Sequence, residues 1–365
     1  MTTTIINKNK KPNVPNLRFK EFQGEWEYFL INDVCSEFKS GKNIKADSVF
    51  ECGEYPVYGG NGLRGYTSSY NHEGSYVLIG RQGALCGNVR SVYGKTYITE
   101  HAIAVAGNEK SNTNFLHYLF LKMNLGQYSD QSAQPGLAVN KLLKLKVALP
   151  IISEQTKIAK FLSLLDERIA TQNKIIDKLQ TLIKGLSNKI FESLQGQECR
   201  LGDIATITNG NSNVQDAITE YKDDLYPFFD RSEEIKYLPT FLFDKEAIIY
   251  PGEGAEFFPR YFNGKFALHQ RCYAIFDFNK AVNPQFLFCF LKTQNSYFIR
   301  NAVGSTVPSL RLDTFQKLKV VVPSKETQSI VSSLLFTLEK KHNTEKMLLQ
   351  TLLKQKHYLL RQMFI

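Results

Sequence analysis

Lys144-Leu145-Lys146-Val147, with Pro150 three residues on, recurs as Lys317-Leu318-Lys319-Val320, with Pro323 three residues on. Outward from these two stretches the chain keeps repeating itself. Leu30–Val34 followed by Gly41 answers Leu201–Ile204 followed by Gly210, and Tyr55-Pro56 answers Tyr226-Pro227. Tyr76–Ile79 with Gly83-Ala84 answers Ala247–Tyr250 with Gly254-Ala255, and Gly94-Lys95 answers Gly264-Lys265. Phe115-Leu116 with Leu121-Lys122 answers Phe286-Leu287 with Leu291-Lys292. Any one match could be chance, but a shared order at a separation of about 170 residues marks a duplicated unit.

Each copy has the same plan. Short strands such as Tyr76–Ile79 and Ile248–Tyr250 are bounded by turn residues. A short helix follows, near Phe115–Met123 and near Pro284–Lys292, and the proline ending each copy opens a long helix. The first long helix, about Ser153 to Leu194, carries a heptad pattern. Leu162, Ile169, Ile176, Ile183 and Ile190 share one position; Ile158, Leu165, Leu179 and Leu186 share its partner, with Gln172 the polar exception. The second, about Glu326 to Met363, offers Val331, Leu335, Leu338, Leu349, Leu352, Leu359 and Met363, with a polar centre at His342 and Glu345. Such a stripe needs a partner helix, and the two long helices supply one another's. The expected fold is therefore α/β (α+β): two tandem domains of mixed strands and short helices, separated by two long antiparallel helices forming an intramolecular coiled coil, with an internal pseudo-twofold repeat. The boundaries read as a flexible tail over residues 1–16, domains over 17–150 and 199–323, and helices over 151–198 and 324–365.

Composition narrows the partner. Across 365 residues, Lys and Arg outnumber Asp and Glu 45 to 35, and a net charge of +10 favours a polyanion such as nucleic acid. The six cysteines form no CxxC pair, and no His pair stands at a metal-binding interval, so no metal is expected. Residues 1–16 lack an apolar signal core, and no apolar run approaches the roughly 20 residues that span a bilayer. A soluble, cytoplasmic protein is expected.

Catalytic signatures fail on context. Gly60-Asn61-Gly62-Leu63-Arg64-Gly65 is a formal GxGxxG, but Tyr66–Tyr70 after it is turn or strand material, not a helix N-terminus. Gly94-Lys95-Thr96 lacks a correctly spaced upstream glycine. Asn283-Pro284-Gln285-Phe286 lacks the second proline of an adenine methyltransferase motif, and no Pro-Asp dipeptide offers a nuclease metal site. The six histidines are scattered. No catalytic residue is assigned.

What remains suits groove reading: turns mixing Gly with Arg, Gln, Asn and Tyr. Arg reads guanine O6/N7, and Gln or Asn reads adenine N6/N7. The candidate DNA contacts of the first domain are Asn61, Arg64, Tyr66, Arg81, Gln82, Asn88, Arg90 and Gln134. Those of the second are Arg231, Ser232, Arg260, Tyr261, His269 and Arg271. Lys95, Lys144, Lys146, Lys265, Lys317 and Lys319 are phosphate or solvent residues, which position without specifying.

Several stretches resemble the specificity subunits of type I restriction–modification enzymes. They are Asn13–Phe19 followed by Gly24-Glu25-Trp26, and Tyr55–Gly62. A third is Leu149-Pro150 running through Glu154-Gln155, Ile158 and Phe161-Leu162 to Leu165–Ile169. The second copy of this helix start, Val322-Pro323 with Glu326-Thr327-Gln328, departs more, and Glu339 stands where Asp166 stands. The resemblance covers nearly the whole chain. It implies two target recognition domains, each reading one half of a split, asymmetric DNA site, with the helices setting the spacer and docking two modification (methyltransferase) subunits. It also implies restriction subunits for translocation and cleavage. S-adenosylmethionine, ATP and Mg would then sit on the partners, with no cofactor on this chain. The competing readings are a stand-alone DNA adenine methyltransferase and a coiled-coil protein-interaction scaffold.

Overall fold

A computed structural model describes residues 13–130 and 135–365, so most of the expected tail, and Gln134 among the candidate contacts, lie outside the described residues. The chain divides into two compact units, one of residues 1–173 with 348–365 and one of residues 174–347.

In the first unit β1 (Glu27–Leu30) and α1 (Ile31–Val34) lead into β2 (Cys35–Ser40), β3 (Tyr55–Gly59), β4 (Gly62–Thr67), β5 (His72–Gly80), β6 (Val89–Ile98) and β7 (Ala102–Gly107). Then come α2 (Thr113–Met123), α3 (Val139–Leu142) and β8 (Lys146–Leu149), and α4 (Ile152–Ser193) begins. The second unit repeats this with β9 (Gln197–Arg200), α5 (Leu201–Ile204), β10 (Thr206–Asn209), β11 (Tyr226–Phe229), β12 (Lys236–Leu238), β13 (Phe243–Pro251), β14 (Arg260–Leu268) and β15 (Cys272–Phe276). It continues with α6 (Pro284–Lys292), α7 (Asn295–Asn301) where the first unit has a 3-10 turn at Leu125–Tyr128, α8 (Leu312–Gln316), β16 (Lys319–Val322) and α9 (Lys325–Gln362). The six-stranded sheets have orders β2-β7-β5-β6-β3-β4 and β10-β15-β13-β14-β11-β12, so every strand has a counterpart in the same place. Each sheet is antiparallel except for one parallel pair, β3 with β6 and β11 with β14. Beside each sheet lies a two-stranded ribbon, β1-β8 and β9-β16.

The matched glycines have a packing reason. A Cβ on Gly41 would come within 2.2 Å of the Ile98 carbonyl oxygen, and one on Gly210 within 2.0 Å of that of Leu268. Only glycine lets the strand pass this close to the next turn.

The same device ties each long helix to its domain. Gln155 and Gln328 are fully buried at the starts of α4 and α9. Gln155 Nε2 donates to the carbonyls of Pro150 and Lys110, and its Oε1 accepts from the Asn112 backbone N–H at 2.8 Å. Gln328 does the same with Pro323, Ala281 and Asn283. Asn112 and Asn283 in turn cap α2 and α6, each side chain accepting from two of the N–H groups that a helix start leaves unpaired. Gln328→Leu strands one donor and two acceptors, so we expect a stability loss of about 2–3 kcal/mol, read by urea unfolding.

Antiparallel helix packing appears within each unit. In the first, Ile158, Leu162 and Leu165 share a core with Leu359, Leu360 and Met363, and Asp166 pairs with Lys356 at 2.5 Å. In the second, Ile190, Phe191 and Leu194 pack with Val331, Leu335 and Phe336. Leu162, Leu165, Ile169, Ile176, Leu179 and Ile183 on α4, and Leu335, Leu338, Leu349 and Leu352 on α9, are all buried or half-buried. Phe161, Leu164, Ile175 and Leu182, on a neighbouring face of α4, are exposed.

On α2, desolvation of the half-buried His117, together with the charge of Lys356, lowers its pKa to about 4. A His depressed in the folded state stays neutral there while the unfolded chain protonates below pH 6.5. Stability is therefore full above that pH and falls between pH 6.5 and 4, by about 3 kcal/mol in all. His117→Phe is expected to flatten that part of the stability–pH curve, measured by urea unfolding from pH 7 down to 4.5.

Candidate nucleic-acid interface

In the first unit four loops converge. The Arg81 N–H donates to the His101 carbonyl at 2.9 Å, the Leu137 N–H to the Arg81 carbonyl at 2.9 Å, and the Gly83 N–H to the Pro135 carbonyl at 3.0 Å. The β3–β4 turn closes against them, since a Cβ on Gly60 would lie 2.6 Å from the His101 carbonyl oxygen. Gly62 faces the Arg90 guanidinium and Gly59 the Arg64 side chain. The structure thus gathers the Asn61 turn, Arg64, Arg81, Gln82 and Arg90 around one patch, with Asn61, Arg64, Gln82 and Arg90 exposed and Arg81 half-buried. Asn88 is half-buried, its carbonyl accepting from the Gly80 N–H. Tyr66 sits in edge strand β4, its backbone bridged to Phe50.

The second unit builds the same loop junction. The His269 N–H donates to the Phe229 carbonyl as the Thr99 N–H does to Tyr58, and the Leu310 N–H donates to Gly252 as Leu137 does to Arg81. Around it the side chains divide in two. Arg231 and Arg271 are exposed. His269 accepts the Arg271 backbone N–H at Nδ1 (3.2 Å), which leaves the ring proton on Nε2. Partial burial lowers its pKa, opposed by Asp230. Ser232 Oγ donates to Asp230, and its backbone N–H donates to the same carboxylate at 2.8 Å.

Arg260 and Tyr261 serve the fold. Arg260 donates to the carbonyls of Ser232 and Asp230 and stacks over Phe229, strapping down the loop that follows β11. Tyr261 bonds Glu246 and packs against Phe288 and Phe336. Both side chains are engaged within the domain and not turned out to read a base. Among the described residues no group of three His, Cys, Asp or Glu could hold a metal ion, and no helix is long and apolar enough to cross a membrane.

The duplication seen in the backbone is also the duplication of a known domain. The type I restriction modification DNA specificity domain matches residues 23–181 and again residues 196–354. The chain belongs to this family. Among curated members, the type I restriction enzyme EcoprrI specificity subunit of Escherichia coli is 42% identical over 154 residues. That match spans 41% of this chain and 38% of the relative. A putative type I restriction enzyme specificity subunit of Haemophilus influenzae is 28% identical over 144 residues, 39% of this chain and 37% of its own length. The matched stretch thus spans well under half of each of these curated relatives. The S subunit of a type I restriction-modification system from M. genitalium has the same fold, with a TM-score of 0.74 and 19% identity, over 96% of this chain and 99% of that one. A chain from a type I R-M assembly study aligns with a TM-score of 0.56.

Glu253 and His101, which stand outside the expected contact set, lie beside Arg271 and Gln82 respectively. The signal was present, because adding the repeat spacing to Gln82 lands on Glu253.

Proposed function

We propose that this chain is the DNA-reading specificity subunit of a type I restriction–modification complex. Each recognition domain reads one half of a split, asymmetric site, and the paired helices set the spacer. One observation carries this: the two units close their loop junctions with matching backbone hydrogen bonds, such as Leu137 to Arg81 and Leu310 to Gly252, and decorate them with different side chains. A shared scaffold with unlike reading groups is what two unlike half-sites require.

The partners follow from what lies exposed. Apolar side chains stay exposed on α4 in each unit, Phe161 and Leu164 in the first and Ile175 and Leu182 in the second, the kind of surface that seats partner helices. We assign it to two modification subunits carrying S-adenosylmethionine, with restriction subunits supplying the ATP- and Mg-dependent steps, in the cytoplasm. Leu164→Asp with Leu182→Asp is expected to weaken capture of the modification subunit about a hundredfold while leaving the melting temperature of the isolated chain unchanged, measured by calorimetric titration.

The test of the whole reading is reconstitution. The chain with its modification subunits should shift a duplex in a sequence-dependent way and methylate a bipartite site, and the chain alone should do no chemistry. Methyl transfer by the purified single chain would overturn the assignment in favour of a stand-alone methyltransferase. A complex that assembles but binds no DNA would favour a protein scaffold.

A further inference from the structure

The two loop junctions place one pair of side chains at one equivalent position, and the pairs differ in chemistry. In the first unit the turn Thr99–Ala102 closes with the Ala102 N–H on the Thr99 carbonyl; in the second, His269–Cys272 closes the same way. His101 therefore corresponds to Arg271. Opposite them, Gln82 bridges Gly136 and Glu253 bridges Ser309, which makes Gln82 the counterpart of Glu253. The contact is repeated as well. His101 Nδ1 lies 3.4 Å from Gln82 Oε1, and Arg271 Nη1 donates to Glu253 Oε1 at 2.6 Å. His101 Nε2 also meets Glu100 Oε1 at 3.1 Å, the place taken by Gln270 in the second unit.

Folding does not account for the second pair. Arg271 is 63% exposed and Glu253 17%, so the guanidinium stands outward with the carboxylate beneath it. An ion pair this open contributes little to stability. A carboxylate on a surface that faces phosphates is repelled unless it is neutralised or used to orient a cation, and here it does both for Arg271.

We propose that these pairs occupy one reading position repeated in the two domains. Arg271, oriented by Glu253, takes a guanine in one half-site through O6 and N7. Gln82, braced by His101, takes an adenine at the matching place in the other through N6 and N7. The proposal rests on the DNA-specificity reading above and adds to it which groups decide one base pair in each half.

The experiment uses the chain reconstituted with its modification subunits and a pool of randomised duplexes, sequenced after methylation. Arg271→Ala is expected to lower discrimination at a single G·C pair roughly 5- to 150-fold, leaving every other position unchanged. The exchange Glu253→Gln with Arg271→His, which installs the first domain's pair in the second, is expected to shift preference at that same pair from guanine towards adenine. The half-site read by the first domain stays as it was and reports that each variant is folded and assembled. A loss spread evenly over all sequences, or an unchanged motif, overturns the proposal by making Arg271 a phosphate contact or a bystander. Should the exchange abolish the second half-site altogether, Arg271→Gln with Glu253 kept decides, because an amide pairs with adenine N6 and N7 and not with guanine O6 and N7. Full guanine preference in Arg271→Gln overturns the proposal, and its loss at that pair alone upholds it. An unaltered complex with no sequence preference in either half would instead defeat the specificity reading itself.

Discussion

Exchanging residues 200–322 for the corresponding segment of a relative is expected to replace one half of the methylated sequence and leave the other half untouched. The second sheet, β10 to β15, pairs only within itself, and its cores are built mainly from residues 199–322. A demanding junction is at α9, where Gln328 must find a backbone N–H and one carbonyl, those of Asn283 and Ala281, in the incoming domain, its other carbonyl being that of the retained Pro323. A donor sequence with Asn at the place of Asn283 keeps the cap on α6 that presents that N–H. Mapping methylated adenines across a genome reads the result. A change in both halves would break the assignment of one half-site to each domain, and no change would remove the second domain from recognition.

A heptad added near Gln172 and another near His342 is expected to lengthen the unread gap by one to about 3 base pairs while both half-site sequences stay the same. Seven helical residues add about 10 Å, and the heptad repeat keeps Leu162, Ile176, Leu335 and Leu352 on the buried seam. At 3.4 Å per base pair the extension cannot exceed about three, and the twist of DNA reduces it, because each domain must still meet its groove. An active complex with an unaltered gap would show that the helices hold partners without setting the distance between half-sites.

Much of the architecture was legible in the residues because periodicity and duplication are properties of the chain itself. Pro284–Lys292 forms a helix over the expected residues, and both long helices start and stop within one residue of the heptad reading. α7 was not legible, since Asn295–Asn301 is short and mixed in polarity and is fixed by Phe298, which packs against both Tyr250 and Phe315. The interface was legible as a set of loops but not as a set of roles. Arg260 and Arg271 look alike in sequence, each beside turn residues. What separates them is where two carbonyls of the Asp230–Ser232 loop fall, and whether Glu253, 18 residues from Arg271, lies within reach. Long-range proximity of this kind leaves no local pattern, although the repeat itself pointed to Glu253 through Gln82.

The core of the first unit is completed by Leu359, Met363 and Phe364, the last of which stacks on Phe115 and meets Trp26. On the ribosome this inverts the usual order of assembly. Trp26 and Phe115 emerge early, yet the residues that cover them are made only after all of the second unit, roughly 10–50 s later at ordinary rates of synthesis. Meanwhile the second unit, drawn from the uninterrupted stretch 174–347, has everything it needs to close. The first domain to be translated is thus the last to mature. A nascent chain arrested short of residue 348 would carry one finished domain and one greasy, unsealed one, a natural client for chaperones and proteases.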